Sequence, residues 1–215
     1  MDGKRRREPV SEATTHRLSL LLRCLRALER EEVGTVSSQE MARRFGLNSA
    51  QIRKDLAQFG EFGVRGVGYR VVDLKERLKH VLGVDRVRTL VIVGAGNLGQ
   101  ALADSRNFNC DGFRVAALFD VDGRKIGSRS RTGVPIRDAA EIASAVRELG
   151  AEIGILAVPA EGVASAASAL AAGGLKAILN FAPAAAPSFP GVLVKNLDLT
   201  LFLESLAFQI GEAAP

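Results

Sequence analysis

Cysteine and histidine are scarce in this chain of 215 residues. The two cysteines, Cys24 and Cys110, fall in different predicted elements and have no metal-ligand spacing. They support no disulfide framework, read as small buried apolar side chains, and fit a reducing cytoplasm. The two histidines, His16 and His80, lie near the N-terminus with no nucleophile or ligand set beside them. They read as surface or packing residues, and no metal site is expected. No run of 18 or more apolar residues occurs, so no transmembrane span is expected. Met1 to Pro9 is basic but has no apolar segment behind it, which excludes a secretory signal. Residues 1–14 read as a disordered basic arm.

The hydrophobic share, 47%, is ample for a packed core, and the net charge is +5. That charge is uneven. Up to Arg88 there are 19 Lys and Arg against 12 Asp and Glu; beyond it, 10 against 12. The excess belongs to the first part of the chain, which suggests a polyanionic partner there; a solvated basic face is the ordinary alternative.

The chain is organised around an apolar run, Thr89 to Val93, that breaks into Gly94-Ala95-Gly96-Asn97-Leu98-Gly99 and then a helical pattern from Gln100. Strand, G-x-G-x-x-G and helix in that order predict a dinucleotide site, with a glycine turn in some other α/β protein as the ordinary alternative. Gly94 allows the turn out of the strand, Gly96 lets a pyrophosphate approach the backbone, and Gly99 lets the helix pack on the strand. The helix N-terminus offers free N–H groups to phosphate. A second strand, Val115 to Phe119, ends in Asp120 at the spacing of a ribose-binding carboxylate, which favours NAD(H) over NADP(H). Arg124 and Lys125 follow closely.

Before this stretch, Thr15 to Glu32 carries leucines at helical spacing: Leu18, Leu21, Leu22, Leu25 and Leu28. Ser37 to Glu40 reads as a capping box opening a short helix that stops at Gly46. Asn48, with Gln51 in the reciprocal position, caps a third helix running to Phe59. Two short helices about a glycine turn make a helix-turn-helix. Ile52, Leu56 and Phe59 face inward, leaving Ser49, Ala50, Arg53, Lys54 and Ala57 outward with Gln51 at the flank. Small residues let such a helix sit deep in a groove, where Arg, Lys and Gln pair with base edges or phosphates. Phe62 to Val71 reads as a hairpin wing, with Arg65 at its tip. Tyr69 either contacts the DNA backbone or plugs the core. Asp73 and Glu76 read as the capping pair of a fourth helix that ends at Gly83.

After Asp120, strands are expected at Ile153 to Pro159, Ala177 to Pro183 and Val192 to Asn196, with helices at Asp138 to Leu149 and Val163 to Ala172. The alternation predicts a parallel sheet. Val158, Pro159, Asn180 and Ala182 lie at carboxyl ends of strands, where they either line the nicotinamide side or merely end the strands. The closing helix, Asp198 to Gly211, is apolar on nearly every side. It is expected to be buried, either between subunits or within its own chain.

The fold class is therefore α/β: a winged helix-turn-helix domain (15–84), a Rossmann-type parallel-sheet domain (85–199), and a C-terminal dimerisation helix and tail (200–215). A small NAD-dependent oxidoreductase is one reading of the nucleotide domain. It lacks a substrate domain and an acid–base group near the nicotinamide. A regulator that binds DNA with one domain and a dinucleotide with the other is the second. Gln51-Ile52-Arg53-Lys54-Asp55-Leu56, Phe59-Gly60-x-Phe62-Gly63, Arg65-Gly66-x-Gly68-Tyr69, the glycine motif, Phe119-Asp120-x-Asp122 and Asn180-Phe181-Ala182-Pro183 together resemble the Rex family of bacterial redox-sensing transcriptional repressors. The similarity runs from about His16 to Gly211.

That resemblance implies a non-enzymatic homodimer that binds an inverted-repeat DNA operator when free or loaded with NAD⁺ and releases it with NADH. DNA-binding residues would be Arg43, Arg44, Asn48, Ser49, Gln51, Arg53, Lys54, Arg65 and Tyr69. Nucleotide-binding residues would be Gly94 to Gly99, Asp120, Val158, Pro159, Asn180 and Ala182. It further implies a C-terminal helix swapped between subunits, and an ion pair between Arg23 and Asp198 of the partner chain in one state. In one departure, Ser105 stands where the family often has tyrosine.

Overall fold

The computed structural model describes residues 10–60, 62–64, 66–109 and 112–212. Arg65, Cys110 and most of the expected basic arm lie outside the described residues. The chain divides into two compact units, Met1–Arg86 and Val87–Pro215, close to the expected boundary at 84.

The first unit holds α1 (Glu12–Arg30), β1 (Thr35–Val36), α2 (Ser38–Phe45), α3 (Ser49–Ala57), β2 (Tyr69–Arg70) and α4 (Val71–Leu82). Helix α1 opens three residues before Thr15, because the Ser11 hydroxyl accepts the Thr14 N–H. Its five leucines are all buried and join Val36, Met41, Ile52, Leu56, Val71, Leu74 and Leu78 in one core. Helix α2 ends at Gly46 in the left-handed conformation, φ 65°.

Three local expectations are corrected. The Ser37 hydroxyl does cap α2 by accepting the Glu40 N–H, but the Glu40 carboxylate turns outward to Arg43 and Arg44 rather than back to the cap. Asn48 caps α3 through the N–H groups of Ala50 and Gln51, whereas the Gln51 amide donates to Asp55. Helix α4 starts at Val71, not Asp73, with no side-chain cap. Val71 is fully buried and its N–H is donated to the Gly34 carbonyl, so an orphan donor of the first turn is already satisfied.

The wing also differs from a simple hairpin. Strand β2 pairs antiparallel with β1, Thr35 opposite Arg70 and Val36 opposite Tyr69. The tip is reduced to a single bridge, Val64 to Gly68. Glycines at 60, 63, 66 and 68 weaken strand propensity between Phe62 and Tyr69, and the segment between α1 and α2 supplies the partner instead.

In the second unit, β3 (Arg88–Val93), β4 (Phe113–Asp120), β5 (Ile136–Asp138), β6 (Ile153–Leu156), β7 (Ala177–Asn180) and β8 (Leu193–Asn196) form one sheet in the order β5-β4-β3-β6-β7-β8. Every pairing is parallel. Helices α5 (Asn97–Asp104), α6 (Ile142–Leu149) and α7 (Val163–Ala172) make the crossovers. Helix α6 is preceded by a 3₁₀ turn, Ala139–Glu141, which Asp138 caps. One core on the sheet centres on Phe119, Leu156, Val146 and Leu170; a second centres on Ile92, Leu118 and Ile155. The order reverses between β3 and β6, which opens the crevice where ligands of such sheets bind. Helix α8 (Leu199–Glu212) carries exposed Leu199, Leu201, Phe202, Leu203, Leu206, Phe208 and Ile210. Within one chain it is therefore not buried.

The sequence motif includes Asp55 but does not disclose its partner. Asp55 is 3% exposed and takes two hydrogen bonds from Arg17, Nε to Oδ2 at 2.6 Å and Nη2 to Oδ1 at 2.8 Å. The Arg17 guanidinium, with help from Gln51, holds this carboxyl below the usual range despite burial. A carboxyl depressed in the folded state stabilises above its unfolded value, near 3.9, and loses that contribution as pH falls through the lower folded value. Thermal unfolding followed from pH 7 to pH 2 is expected to show this loss, and Arg17→Ala is expected to lower the midpoint at pH 7 and flatten the acid limb.

Candidate functional site

The carboxyl end of β3 leads directly into the glycine motif. The Gly94 N–H is donated to the Phe119 carbonyl at 2.7 Å. Gly94 has φ +103°, and a Cβ there would overlap the Ala157 carbonyl oxygen and crowd Val158. A Cβ on Gly99 would overlap the Gly94 carbonyl oxygen. Both glycines are thus required by the chain itself. Gly96 is different. Its φ is −78°, which any residue adopts, and a Cβ would meet nothing within 4 Å. Neither backbone conformation nor internal packing explains a glycine there; close approach of a ligand to the backbone does.

Helix α5 opens at Asn97, with Gly96 as its N-cap and no side-chain cap. It therefore starts three residues before the expected Gln100, and Asn97, Leu98 and Gly99 form its first turn. Gly96, Asn97 and Leu98 are exposed, so the helix end is open to an anion. This arrangement fits a pyrophosphate.

Asp120 ends β4 beside this loop. Its Oδ2 accepts the Ala95 N–H at 2.8 Å and the Lys125 ammonium at 3.0 Å, and its Oδ1 accepts the Asp122 N–H at 2.9 Å. Oδ1 retains acceptor capacity for a hydroxyl. Burial pushes this carboxyl up, but the Asp122 N–H, Lys125 and the Ala95 N–H outweigh it and keep it below the usual range. It is an anion at neutral pH, suited to a ribose hydroxyl and repulsive to a 2′-phosphate. Arg124 is turned onto Asp122 by a bidentate contact.

Across the crevice, Val158 lines the turn at Gly94 and Pro159 is exposed, so the structure brings Gly94 and Val158 together. Asn180 ends β7. It is fully buried, and its amide donates to the Ala184 carbonyl at 2.7 Å and to Asn196 Oδ1 at 2.8 Å, while its Oδ1 accepts the Ala182 N–H. It shapes the loop after β7, at the carboxyl end of that strand. Ala182 is likewise 9% exposed.

Asp104, at the far end of α5, was not anticipated. Its Oδ1 accepts the Thr132 hydroxyl, the Thr132 N–H and the Ser130 hydroxyl, which hold its carboxyl at about 2. An acid in the last turn of a helix opposes the helix dipole, and that oddity was the available signal that a tertiary partner compensates it. Ser105 follows, its hydroxyl accepting the Asn107 N–H. It lies at the opposite end of the eight-residue α5 from Gly96, about 12 Å along the helix.

In the first unit, α2 and α3 present the predicted nucleic-acid face. Arg53 and Lys54 are exposed, and Arg53 donates to the hydroxyl of Ser38, the first residue of α2, at 2.9 Å. Ala50 and Ala57 are exposed and Ser49 half-buried, leaving a low profile beside the two cations. Arg43 is largely exposed while paired with Glu40; Arg44 is held by both Glu40 and Glu31. The Asn48 side chain is spent on its cap. Tyr69 is half-buried against the core, its ring near Gly63. Arg23 is exposed on α1. Asp198 accepts the Thr200 N–H and hydroxyl at the start of α8.

Each of the two units has a counterpart among known families. A family model described as a CoA binding domain matches residues 85–184, and one described as a putative DNA-binding protein N-terminus matches residues 9–57. The redox-sensing transcriptional repressor Rex 1 of Thermotoga maritima is 44% identical over 203 residues, covering 94% of this chain and 97% of that protein. Rex of Carboxydothermus hydrogenoformans is 45% identical over 203 residues, covering 94% and 96%. The chain belongs to the Rex family. The solved structure of RSP, a Rex-family repressor, with beta-NAD⁺ and operator DNA has a TM-score of 0.89 and 34% identity, covering 95% of this chain and 94% of that one. RSP with beta-NADH has a TM-score of 0.82 and 33% identity, covering 95% and 96%. The Rex-family relatives are named as repressors and not as dehydrogenases.

Gly96 and Gly99 of this Rex-family chain are expected to separate on substitution. Gly96→Ala keeps the unfolding midpoint and weakens NADH binding at least tenfold, which is about 1.4 kcal/mol. Gly99→Ala lowers the midpoint itself. Differential scanning fluorimetry beside NADH fluorescence titration distinguishes the two.

Proposed function

We propose that this Rex-family chain is a DNA-binding transcriptional repressor that senses the NADH/NAD⁺ ratio, with NADH binding releasing it from an inverted-repeat operator. The open backbone at Gly96, in a chain that also carries an exposed cationic recognition helix, is the observation that carries the reading. RSP, 34% identical, has been solved with both beta-NAD⁺ and operator DNA, and separately with beta-NADH. Asp120 supplies the ribose contact, and the first turn of α5 the pyrophosphate contact. Helix α3 enters the major groove, with Arg53 and Lys54 on bases or phosphates and Arg43 reaching the flanking backbone. Arg44, already held by two glutamates, contributes less. Arg65 and Tyr69 belong to the wing that accompanies this face.

The functional unit is a homodimer in the cytoplasm. Two copies match the two-fold symmetry of an inverted repeat, and the seven exposed apolar side chains of α8 supply a surface that a second chain covers. Arg23 pairs with Asp198 of the partner chain in one of the two states. Release is then a population shift: NADH binds the DNA-incompetent arrangement more tightly, and a tenfold preference corresponds to about 1.4 kcal/mol of coupling. Hydride transfer to a substrate is not part of this reading. His16 and His80 both belong to the N-terminal unit.

A DNA mobility-shift titration with NADH and NAD⁺ in separate arms tests the proposal. Release by NADH alone is expected; hydride transfer to a small substrate without DNA binding would replace the sensor by an enzyme. Lys54→Ala is expected to weaken operator binding and to reduce the salt slope by about 1 if it contacts a phosphate, leaving NADH affinity unchanged. Asp120→Ala is expected to do the reverse, loosening NADH while nucleotide-free operator affinity stays as it was.

A further inference from the structure

We propose that Asn196 is a positioning residue that couples the loop after β7 to the root of α8, so that a change at the nucleotide site reaches the C-terminal helix through one side-chain amide. This inference rests on the sensor reading above and assigns a route to it.

Asn180 and Asn196 lie opposite each other at the carboxyl ends of β7 and β8. The Asn196 Oδ1 gathers two donors, Asn180 Nδ2 at 2.8 Å and the Ala186 N–H at 3.0 Å. Asn180 in turn fixes the loop at Ala182 and Ala184, and its carbonyl accepts the Leu197 N–H at 2.8 Å. The loop is anchored at both ends, since Ala182 and Ala186 are buried in the sheet core. With both ends pinned, a displacement at Ala182 is carried along the loop to Ala186.

Asn196 itself is exposed and ends an edge strand, where asparagine is a poor strand former. Burial gives no reason for it; the two convergent donors do. Two residues later, Asp198 accepts the Thr200 N–H at 2.9 Å and hydroxyl at 2.6 Å, which sets the first turn of α8. Only the Leu197 peptide separates the clamp from that cap. Moving Ala182 to Ala186 therefore pulls on Asn196 and alters the direction in which α8 leaves the sheet.

The test is the ratio of operator Kd with and without saturating NADH, measured on the full chain together with NADH Kd and the unfolding midpoint. Asn196→Ala is expected to leave nucleotide-free operator affinity and NADH affinity within about threefold while the ratio falls toward one. Asn196→Asp keeps an acceptor for both donors and is expected to preserve the ratio. Asn196→Ser, whose hydroxyl is too short to hold both, is expected to behave as alanine. A ratio that survives in Asn196→Ala and Asn196→Ser overturns the proposal, as does a loss of both affinities with the ratio intact, which makes Asn196 structural. A ratio of one in the unsubstituted chain removes the sensor reading, and this route with it.

Discussion

The second unit depends on backbone packed directly against backbone at the end of β3. The Gly94 carbonyl occupies the space where a Gly99 side chain would begin, and the Ala157 carbonyl occupies the space where a Gly94 side chain would begin. No side chain cushions either approach. This brings the first turn of α5 onto the strand end and sets β6 beside β3 at the point where the sheet order reverses. Everything that a nucleotide would touch is referred to that junction: the amides of Asn97 and Leu98, the Ala95 N–H that holds Asp120, and Val158 across the crevice. A cushion of one methylene would widen the junction and move all of them together, because close-packed interiors transmit displacement and do not absorb it.

What the sequence disclosed follows from this. Glycine spacing, apolar runs and an acid after the second strand are local signals, and each acts locally. Strands β3, β4, β6, β7 and β8, the leucine face of α1 and the Asn48 cap were legible for that reason. The misplaced features were decided by distant partners. Helix α4 begins early because Val71 finds Gly34, 37 positions away; β2 pairs with β1 and not with its neighbour across the glycine turn. Arg17 and Asp55 are 38 positions apart and look like ordinary surface charges in one dimension. The Asn180 side chain likewise reaches Ala182, Ala184 and Asn196, partners that spacing along the chain does not announce.

The charge count shows the same division at finer scale. The first 88 residues hold a clear cationic excess, but a formal count treats every guanidinium alike. Arg17 is committed to a buried carboxylate and Arg44 to two glutamates. Each is a poor donor to DNA because a contact to phosphate would first have to break a charge-assisted hydrogen bond. Arg53 is tied only to a neutral hydroxyl, and Lys54 stands exposed beside it on α3. The short side chains of Ala50 and Ala57 flank this pair. Specificity in the proposed interface thus concentrates on a narrow strip, although the basic character of the unit is spread along it.

Helix α8 poses the opposite problem, an excess of apolar surface with no cover from its own chain. Fourteen residues are close to the limit at which an isolated helix holds in water, so its persistence calls for both a cap and a covering surface. The cap is Asp198, which uses a single oxygen, Oδ1, for both the N–H and the hydroxyl of Thr200. The second oxygen is left to other donors. A carboxylate arranged in this way starts the helix and accepts a guanidinium at the same time, since the two contacts fall on different oxygens. The proposed pairing with Arg23 of a partner chain therefore costs the helix nothing when it forms and exposes no orphan donor when it breaks. A switch built on that proposed pair would leave the cap of α8 intact in both states.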